Sequence, residues 1–238
     1  MSRAYAAGLV LVVTDRAQVP EGRTVLDVVA AALDGGAHGV VVRERQLPGQ
    51  GRATLVAAVG QLCTEHDALL LVASPFPPLP AGRCGRPRSA PIDHIDPARA
   101  RRVGVHLRRD EPVPADLDRA TTLVGRSCHD LAELRRAGAD GLDHVTLSPV
   151  AASASKPGHG PAIGAGGLRD LMATVRAECT EPPVVLALGG VDASNAGSWL
   201  EAGADGVAVM GAVMGAADPA ATTRAIVESV AEAREARR

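Results

Sequence analysis

Short apolar runs alternate with longer amphipathic stretches along the chain. One sequence pattern, in which glycines are followed directly by an apolar run, recurs at the junctions. These junctions are residues 35–42, 137–142 and 202–209. A glycine at the end of a helix adopts the left-handed conformation that stops it, and a short apolar run bounded by turn residues is typical of a buried strand. The pattern therefore predicts a chain that alternates helices with parallel strands.

Eight segments fit the expectation for buried parallel strands, and eight is the number that closes a (β/α)8 barrel. We therefore predict an α/β protein with a single TIM-barrel domain over residues 1–238. An open doubly wound sheet is the competing fold, and the strand count argues against it. The predicted strands are Leu9–Thr14, Gly39–Arg43, Leu69–Ala73, Val103–Leu107, Thr122–Gly125, His144–Ser148, Val184–Leu188 and Gly206–Met210.

Amphipathic stretches between these strands predict the helices, with Thr24 as a plausible N-cap of the first. Segment 74–102 is the exception, because residues 74–91 are crowded with Pro, Gly and Arg. Such composition resists helix formation, so we expect an irregular surface loop and a third helix eroded to Pro97–Arg101. The predicted helices are Thr24–Leu33, Thr54–His66, Asp130–Ala137, Leu168–Glu178, Ser194–Glu201 and Pro219–Arg234.

Composition narrows the function classes. Trp199, Tyr5 and Phe76 are the aromatic residues in a chain that is 46% hydrophobic, so aliphatic residues must fill the core. A formal charge of −2 gives no reason to expect nucleic acid or an anionic membrane as a partner. No cysteine pair has metal-ligand or redox spacing, and neither a secretory signal nor a membrane-length apolar run is seen. These features lead us to expect a cytoplasmic protein.

The barrel prediction directs attention to the carboxyl ends of the strands, where active sites of this fold lie. Gly189 and Gly190 follow strand seven, and Gly211 and Ala212 follow strand eight and lead into a short extra helix. Glycines let main-chain N–H groups approach an anion, and a helix N-terminus favours negative charge. The two loops predict a phosphate site, the alternative being that the glycines serve turn geometry alone.

Other strand ends carry charged and titratable groups. Arg43 and Arg45 share one face after strand two, with Glu44 opposite, and this pair suits a phosphorylated or carboxylated substrate. His129 after strand five could serve as an acid or base, or could simply neighbour a helix cap, and His106 after strand four is equally open.

The loop after strand six, at residues 147–161, is long and rich in small residues. It either folds over a ligand and brings Lys156 to an anion, or is a solvated surface loop. Paired carboxylates at metal-ligand spacing are not found in the sequence, where only Asp110 and Glu111 stand together at a strand end.

In this order along a predicted barrel, these motifs resemble the superfamily of thiamine phosphate synthase and the thiazole tautomerase TenI. The resemblance covers nearly the whole chain. It implies action on a thiazole phosphate in vitamin B1 synthesis, with the two glycine loops holding the phosphate. The matching stretches are residues 12–16, 42–45, 104–107, 125–129, 155–158, 188–191 and 204–210.

The synthase branch joins a pyrimidine diphosphate to the thiazole and needs Mg²⁺, and the chain departs from its pattern at three strand ends. Val41 stands where that pattern has Gln. Ala73 and Ser74 replace an Asn-Asp pair, and Arg108-Arg109 replaces Gly-Gln. Glu111 is the best match to the remaining metal Asp, and Lys156, which would meet the diphosphate, is retained.

The tautomerase branch keeps Arg-Glu-Arg and Gly-Arg-Ser-x-His without the metal carboxylate, as this chain does. The resemblance then implies that His129 moves a proton, while Arg43 and Arg45 hold the substrate carboxylate or stabilise developing charge. Ser127 would help to position the ring, and Ser148 is a further candidate for substrate binding.

The first expectation is therefore a thiazole tautomerase, an isomerase that needs no cofactor. A diverged synthase, a transferase using Mg²⁺ through Glu111, is the alternative, and a non-catalytic paralogue that binds a phosphorylated ligand is the third. Trp199 and the apolar C-terminal helix hint at a homo-oligomer.

Overall fold

The structure, a computed structural model, describes residues 8–76, 103–152 and 161–237. Eight strands form a closed parallel barrel in sequence order, and the first strand pairs with the last. The (β/α)8 prediction is confirmed. The strands are β1 (Leu9–Val13), β2 (Gly39–Val42), β3 (Leu69–Ala73), β4 (Val103–Leu107), β5 (Thr122–Cys128), β6 (His144–Leu147), β7 (Val184–Leu188) and β8 (Gly206–Val209).

Strand β5 differs most from its prediction, because it continues beyond Gly125 to Cys128. Arg126, Ser127 and Cys128 pair in register with Val145, Thr146 and Leu147 of β6. Gly125 and the polar residues after it resemble a turn in the sequence. In the barrel they stay in the ladder, because alternate residues of a strand point to opposite faces and the interior here accepts polar groups.

The helices lie between the strands. Thr24 is the N-cap predicted for α1, and its side chain and that of Asp27 form a reciprocal capping box. Helix α2 begins at Gly49 rather than at Thr54, because Gly49 and Gly51 are weak helix formers that hide the start. The helices are α1 (Val25–Asp34), α2 (Gly49–Glu65), α3 (Leu131–Ala139), α4 (Gly164–Glu178), α5 (Ala196–Glu201), α6 (Gly211–Met214) and α7 (Pro219–Ala236).

The predicted remnant helix at Pro97–Arg101 lies outside the described residues, as does most of the irregular segment 74–91. Within the described ranges, none of the helices combines the length and the apolar character needed to cross a bilayer. The short extra helix predicted after strand eight is present as α6.

The barrel encloses an aliphatic interior that is separate from the larger core between strands and helices. The sector lined by β4, β5 and β6 is different, because four of its buried or half-buried side chains are polar: His106, Ser127, His144 and Thr146. Burying polar groups is costly unless they are hydrogen-bonded, so this sector requires a specific network. The interior aliphatic residues are Leu9, Leu11, Val13, Val41, Leu69, Leu71, Ala73, Leu123, Val184, Leu186 and Ala208.

Candidate active site

The two predicted arginines lie at the end of β2. The main-chain N–H of Arg43 donates to Thr14 Oγ1 at 2.9 Å, which fixes the chain as it leaves the strand. Glu44 is buried and its Oε1 accepts the N–H of Arg16 at 3.0 Å. The carboxylate is thus engaged with the main chain, and in the described structure it does not form an ion pair with Arg43 or Arg45.

Further guanidinium groups gather around Arg45. Partial desolvation and then the cations Arg43, Arg108 and Arg52 lower the pKa of Arg45, whereas Glu111 raises it. The pKa of an arginine starts so high that the group stays charged. The mouth of the barrel is therefore rich in positive charge.

Arg52, which was not predicted as a site residue, is a buried residue of α2. Its Nη2 donates to the carbonyl of Ala73 at the end of β3. Burial lowers the pKa of Arg52, an effect that Glu44 opposes. The sequence does indicate this residue, because Arg52 follows soon after Arg43 and Arg45. The glycines next to it make the start of the helix hard to predict.

Glu111 faces the mouth rather than bulk solvent. Its Oε2 accepts hydrogen bonds from the hydroxyl of Ser74, after β3, and from the N–H of Arg108 at 3.1 Å. Arg126, buried on β5, donates from Nη2 to the Glu111 carbonyl at 2.9 Å and pairs with Asp140 at 2.6 Å. The loop after β4 is thus held so that one carboxylate stands among several arginines.

Two histidines occupy the polar sector of the barrel interior. His106 Nδ1 lies 3.2 Å from His144 Nε2, and the rings stack with centroids 5.4 Å apart. His106 Nε2 lies 3.1 Å from Ser127 Oγ and 3.3 Å from Thr146 Oγ1. These contacts join the interior to a hydroxyl at the mouth, and we call His144, His106 and Ser127 the histidine chain.

Both interior histidines are held neutral. Burial lowers the pKa of His144 to about 4. Burial also places the pKa of His106 well below its usual value, and His144, Arg45 and Arg43 add to the effect. From the sequence, His106 was an open candidate, and His144 and Thr146 were not predicted as site residues. The signal for them is the alternation His144-Val145-Thr146-Leu147, which puts two polar side chains on one face of β6.

His129 lies exposed at the end of β5. Its Nδ1 is 2.7 Å from the carbonyl oxygen of Ser148, after β6. Since a carbonyl only accepts, Nδ1 carries the hydrogen, and in the neutral ring Nε2 is the basic nitrogen. The N–H of His129 donates to Glu133 Oε2 at 2.7 Å, while Asp130 caps α3. The segment therefore caps a helix and also orients an imidazole, and the acid or base role of His129 stays a prediction.

The glycine loop after β7 has a strict backbone requirement. Gly189 and Gly190 have φ of +95° and +68°, and a Cβ on Gly190 would lie 2.5 Å from the carbonyl oxygen of Ala152. Turn geometry and the close approach of the loop after β6, which contains Ala152 and is called the β6 loop, therefore require these glycines whether or not a phosphate binds.

The loop after β8 leads directly into α6. Gly211 and Ala212 are in its first turn, whose N–H groups have no acceptor within the helix, and Met210 at the N-cap supplies no side-chain cap. Their phosphate-binding role stays a prediction.

The predictions for Lys156 and for a metal site can be compared only with the residues that the structure describes. Lys156 lies outside the described residues. In the described ranges no group of three or more His, Cys, Asp or Glu side chains could hold a metal ion. Any metal bound at Glu111 would need oxygen ligands from elsewhere.

The fold and the mouth together define a (β/α)8 barrel whose strand ends gather arginines, hydroxyls and histidines. A family model described as thiamine monophosphate synthase matches residues 92–213. The chain belongs to this family.

Relatives extend the match over nearly the whole chain. The thiamine-phosphate synthase of Roseiflexus castenholzii is 33% identical over 94% of this chain and 89% of its own length. That of Methanoculleus marisnigri is 33% identical over 94% and 95%. Among solved structures, a thiamine phosphate pyrophosphorylase from Pyrococcus furiosus has a TM-score of 0.67 and 26% identity, covering 94% of this chain and 96% of its own. These names favour the synthase alternative over the tautomerase that was expected first.

Proposed function

We propose that the chain is a transferase of the thiamine-phosphate synthase type. It would join a pyrimidine carried as its diphosphate to a thiazole phosphate, and diphosphate would leave. The observation that carries this proposal is the position of Glu111, whose carboxylate accepts the Ser74 hydroxyl at the mouth, within electrostatic reach of Arg45. A tautomerase has no use for a carboxylate there, whereas a synthase requires one.

The Glu111 carboxylate and the Ser74 hydroxyl are oxygen ligands of the kind that suits Mg²⁺ bound together with a substrate phosphate. Mg²⁺ is usually bound by one or two carboxylates together with substrate phosphates and waters. Glu111 and the Ser74 hydroxyl would hold it, with the diphosphate completing the coordination. When bound, the ion supplies charge neutralisation for the departing diphosphate. Ser74 replaces a carboxylate of the family pattern, so the protein contributes less negative charge than usual.

The arginines provide the remaining charge. Arg43, Arg45 and Arg108 would bind the diphosphate and stabilise the negative charge that develops as it departs. Their mutual repulsion in the free protein supports this role, because an anion relieves it. Ser127 would donate its hydroxyl to the same group, and the loops at Gly189–Gly190 and Gly211–Ala212 would hold the thiazole phosphate.

A tautomerase is the second candidate, and the tautomer of His129 favours it. With the Nδ1 hydrogen donated to Ser148, the exposed Nε2 is a base aimed away from the main chain. Arg43 and Arg45 would then hold the carboxylate of a thiazole carboxylate phosphate. This reaction would be independent of Glu111.

One pair of assays separates the two. Purified protein is given thiazole phosphate and the pyrimidine diphosphate with Mg²⁺, and separately the non-aromatic thiazole carboxylate phosphate. The synthase proposal expects thiamine phosphate, its loss with a chelator, and a loss of at least about 100-fold in Glu111→Gln. Asp110→Asn is the matched control, because this neighbouring carboxylate is exposed and pairs with Arg109 away from the mouth.

The alternatives have their own outcomes. Aromatisation of the carboxylate substrate that is lost in His129→Ala but kept in Glu111→Gln would overturn the synthase proposal. Binding of a phosphorylated ligand without either turnover would identify the non-catalytic paralogue.

A further inference from the structure

The polar sector of the barrel interior holds two histidines that the proposed reaction does not use. Their rings are buried, with His106 5% and His144 3% exposed, and they contact each other beneath the arginines of the mouth. A neutral histidine has one N–H and one acceptor nitrogen, so the state of one ring sets that of the next. The geometry leaves two ordered states of the histidine chain.

In the first state His144 Nε2–H donates to His106 Nδ1. His106 then carries its hydrogen on Nε2 and donates to Ser127 Oγ, 3.1 Å away. The Ser127 hydroxyl has its own hydrogen left for a ligand. In the second state His106 Nδ1–H donates to His144, and the bare Nε2 accepts the Ser127 hydroxyl. While Ser127 makes this bond, the shorter of the two hydroxyl contacts of His106 Nε2, it can offer a ligand only lone pairs.

We propose that His144 and His106 are positioning residues that make the Ser127 hydroxyl a hydrogen-bond donor to an anionic ligand at the mouth. An anion stabilises the donor state and disfavours the lone-pair state, and the arginines bring that anion to the site. The proposal rests on the proposed function for the identity of the ligand, which would be the diphosphate. Neither histidine touches the ligand, and no net proton is transferred.

The shape of the interior supports a specific role for His144. Its ring lies over Gly125, where a Cβ would overlap His144 Nε2. Thr146 Oγ1, at 3.3 Å, is a second partner for His106 Nε2 and helps to hold that ring against Ser127. A buried network of this kind is stable only when every member is hydrogen-bonded. The tautomer of His144 therefore determines the tautomer of His106 and, through it, the hydrogen-bond role of Ser127.

Kinetics test the proposal through a double-mutant cycle. His144→Phe keeps a stacking ring but loses the donor, and we expect kcat to fall about tenfold with KM for the thiazole phosphate within about twofold. His144→Gln keeps an N–H donor and should recover most of the loss. In a Ser127→Ala background His144→Phe should have no further effect on kcat. Equal effects in both backgrounds would overturn the proposal, because a purely structural role acts independently of Ser127.

Spectroscopy provides a readout that does not need turnover. In protein labelled with ¹⁵N-histidine, added inorganic pyrophosphate should move the His106 signals to the Nε2–H tautomer, and calorimetry should show about tenfold weaker pyrophosphate binding in His144→Phe. The exposed His66→Gln is the control and should bind as wild type does. A His106 ring that stays Nδ1–H with pyrophosphate bound would overturn the proposal. If pyrophosphate binding behaves as expected but no thiamine phosphate forms, only the synthase assignment fails.

Discussion

Arg126 and Glu111 are joined across the barrel rim by a hydrogen bond from the Arg126 Nη2 to the Glu111 carbonyl, at 2.9 Å. The same guanidinium pairs with Asp140 at 2.6 Å, and its side chain is 2% exposed. The residue that directs a carboxylate into the mouth is therefore itself a buried cation with two fixed partners. Loss of this cation must affect both the fold and the site.

Arg126→Met tests this dual role. We expect it to destabilise the fold by about 1 to 2 kcal/mol, because the Glu111 carbonyl loses a buried donor while Asp140, 37% exposed, can be hydrated. It should also lower synthase activity and raise the Mg²⁺ concentration needed for half-maximal rate, since Glu111 is no longer held. Denaturant unfolding and metal titration measure the two effects.

Arg135→Met is the matched control. This arginine forms a bidentate pair with Glu178 on the exposed outer surface. Its loss should leave the melting temperature and the Mg²⁺ requirement close to those of wild type, because surface pairs contribute little. Equal Mg²⁺ requirements in Arg126→Met and wild type would show that Arg126 does not position Glu111.

The fold could be predicted from the sequence because the patterns that indicate its strands and helices are local. A buried strand such as Val184–Leu188 is a continuous apolar run, and its predicted bounds are those observed. The bounds of β5 were wrong at one end, since Gly125 and Ser127 resemble turn residues. Only the ring of His144, which comes from another strand, explains why a glycine is needed inside that strand.

The site was readable only in part. The spacing of Arg43 and Arg45 placed both at the end of β2, where the structure has them, and their role in binding stays a prediction. The buried partners that set their surroundings come from distant positions, as Arg52 does on α2 and His106 on β4. Such contacts depend on how the barrel closes, which no local pattern encodes. The departure from the family at Ser74 suggested a lost metal site, whereas the structure shows that its hydroxyl holds Glu111.

The neutral state of His144 predicts how stability depends on pH. Its pKa is about 4 in the folded protein against 6.5 in the unfolded chain. Between these values the unfolded chain binds a proton that the folded protein excludes, so stability falls as the pH is lowered through this window. The loss should reach about 2 kcal/mol at pH 5, at 1.36 kcal/mol per pKa unit. Burial lowers the pKa of His106 as well, so the contribution of His144 is the part of the acid loss, measured by urea unfolding at pH 7 and pH 5, that His144→Gln removes.

His66 gives a control of opposite sign. Its ring pairs with Asp34 at 3.0 Å, and this hydrogen bond raises the pKa of His66. The folded protein gains a proton there more readily than the unfolded chain, so the pair stabilises the fold at low pH and the effect is lost as pH rises. His66→Gln should therefore make the acid loss steeper. A shallower loss in this variant would contradict the assignment.

Gly190 should resist substitution more than its backbone angle alone requires. Gly190→Ala places a Cβ 2.5 Å from the carbonyl oxygen of Ala152, in addition to a φ of +68°. Gly22 also has positive φ, at +82°, but a Cβ there would have no neighbouring atom within 4 Å, so Gly22→Ala isolates the strain of about 1 kcal/mol. We expect Gly190→Ala to lower the melting temperature further and to weaken binding of thiazole phosphate. Equal melting temperatures of Gly190→Ala and Gly22→Ala would show that the β6 loop moves away from the added Cβ at no cost in stability.

The contact between Gly125 and His144 can be measured as a coupling. Gly125→Ala puts a Cβ into the space of His144 Nε2, so the ring must leave His106, and we expect a loss of about 2 kcal/mol of stability. In a His144→Ala background the obstruction is gone, and the same change should cost at least about 1 kcal/mol less. Gly104→Ala is the control, because its Cβ would meet Leu123 rather than His144, and its cost should be the same in both backgrounds. Additive effects of Gly125→Ala and His144→Ala would mean that the ring does not depend on this glycine.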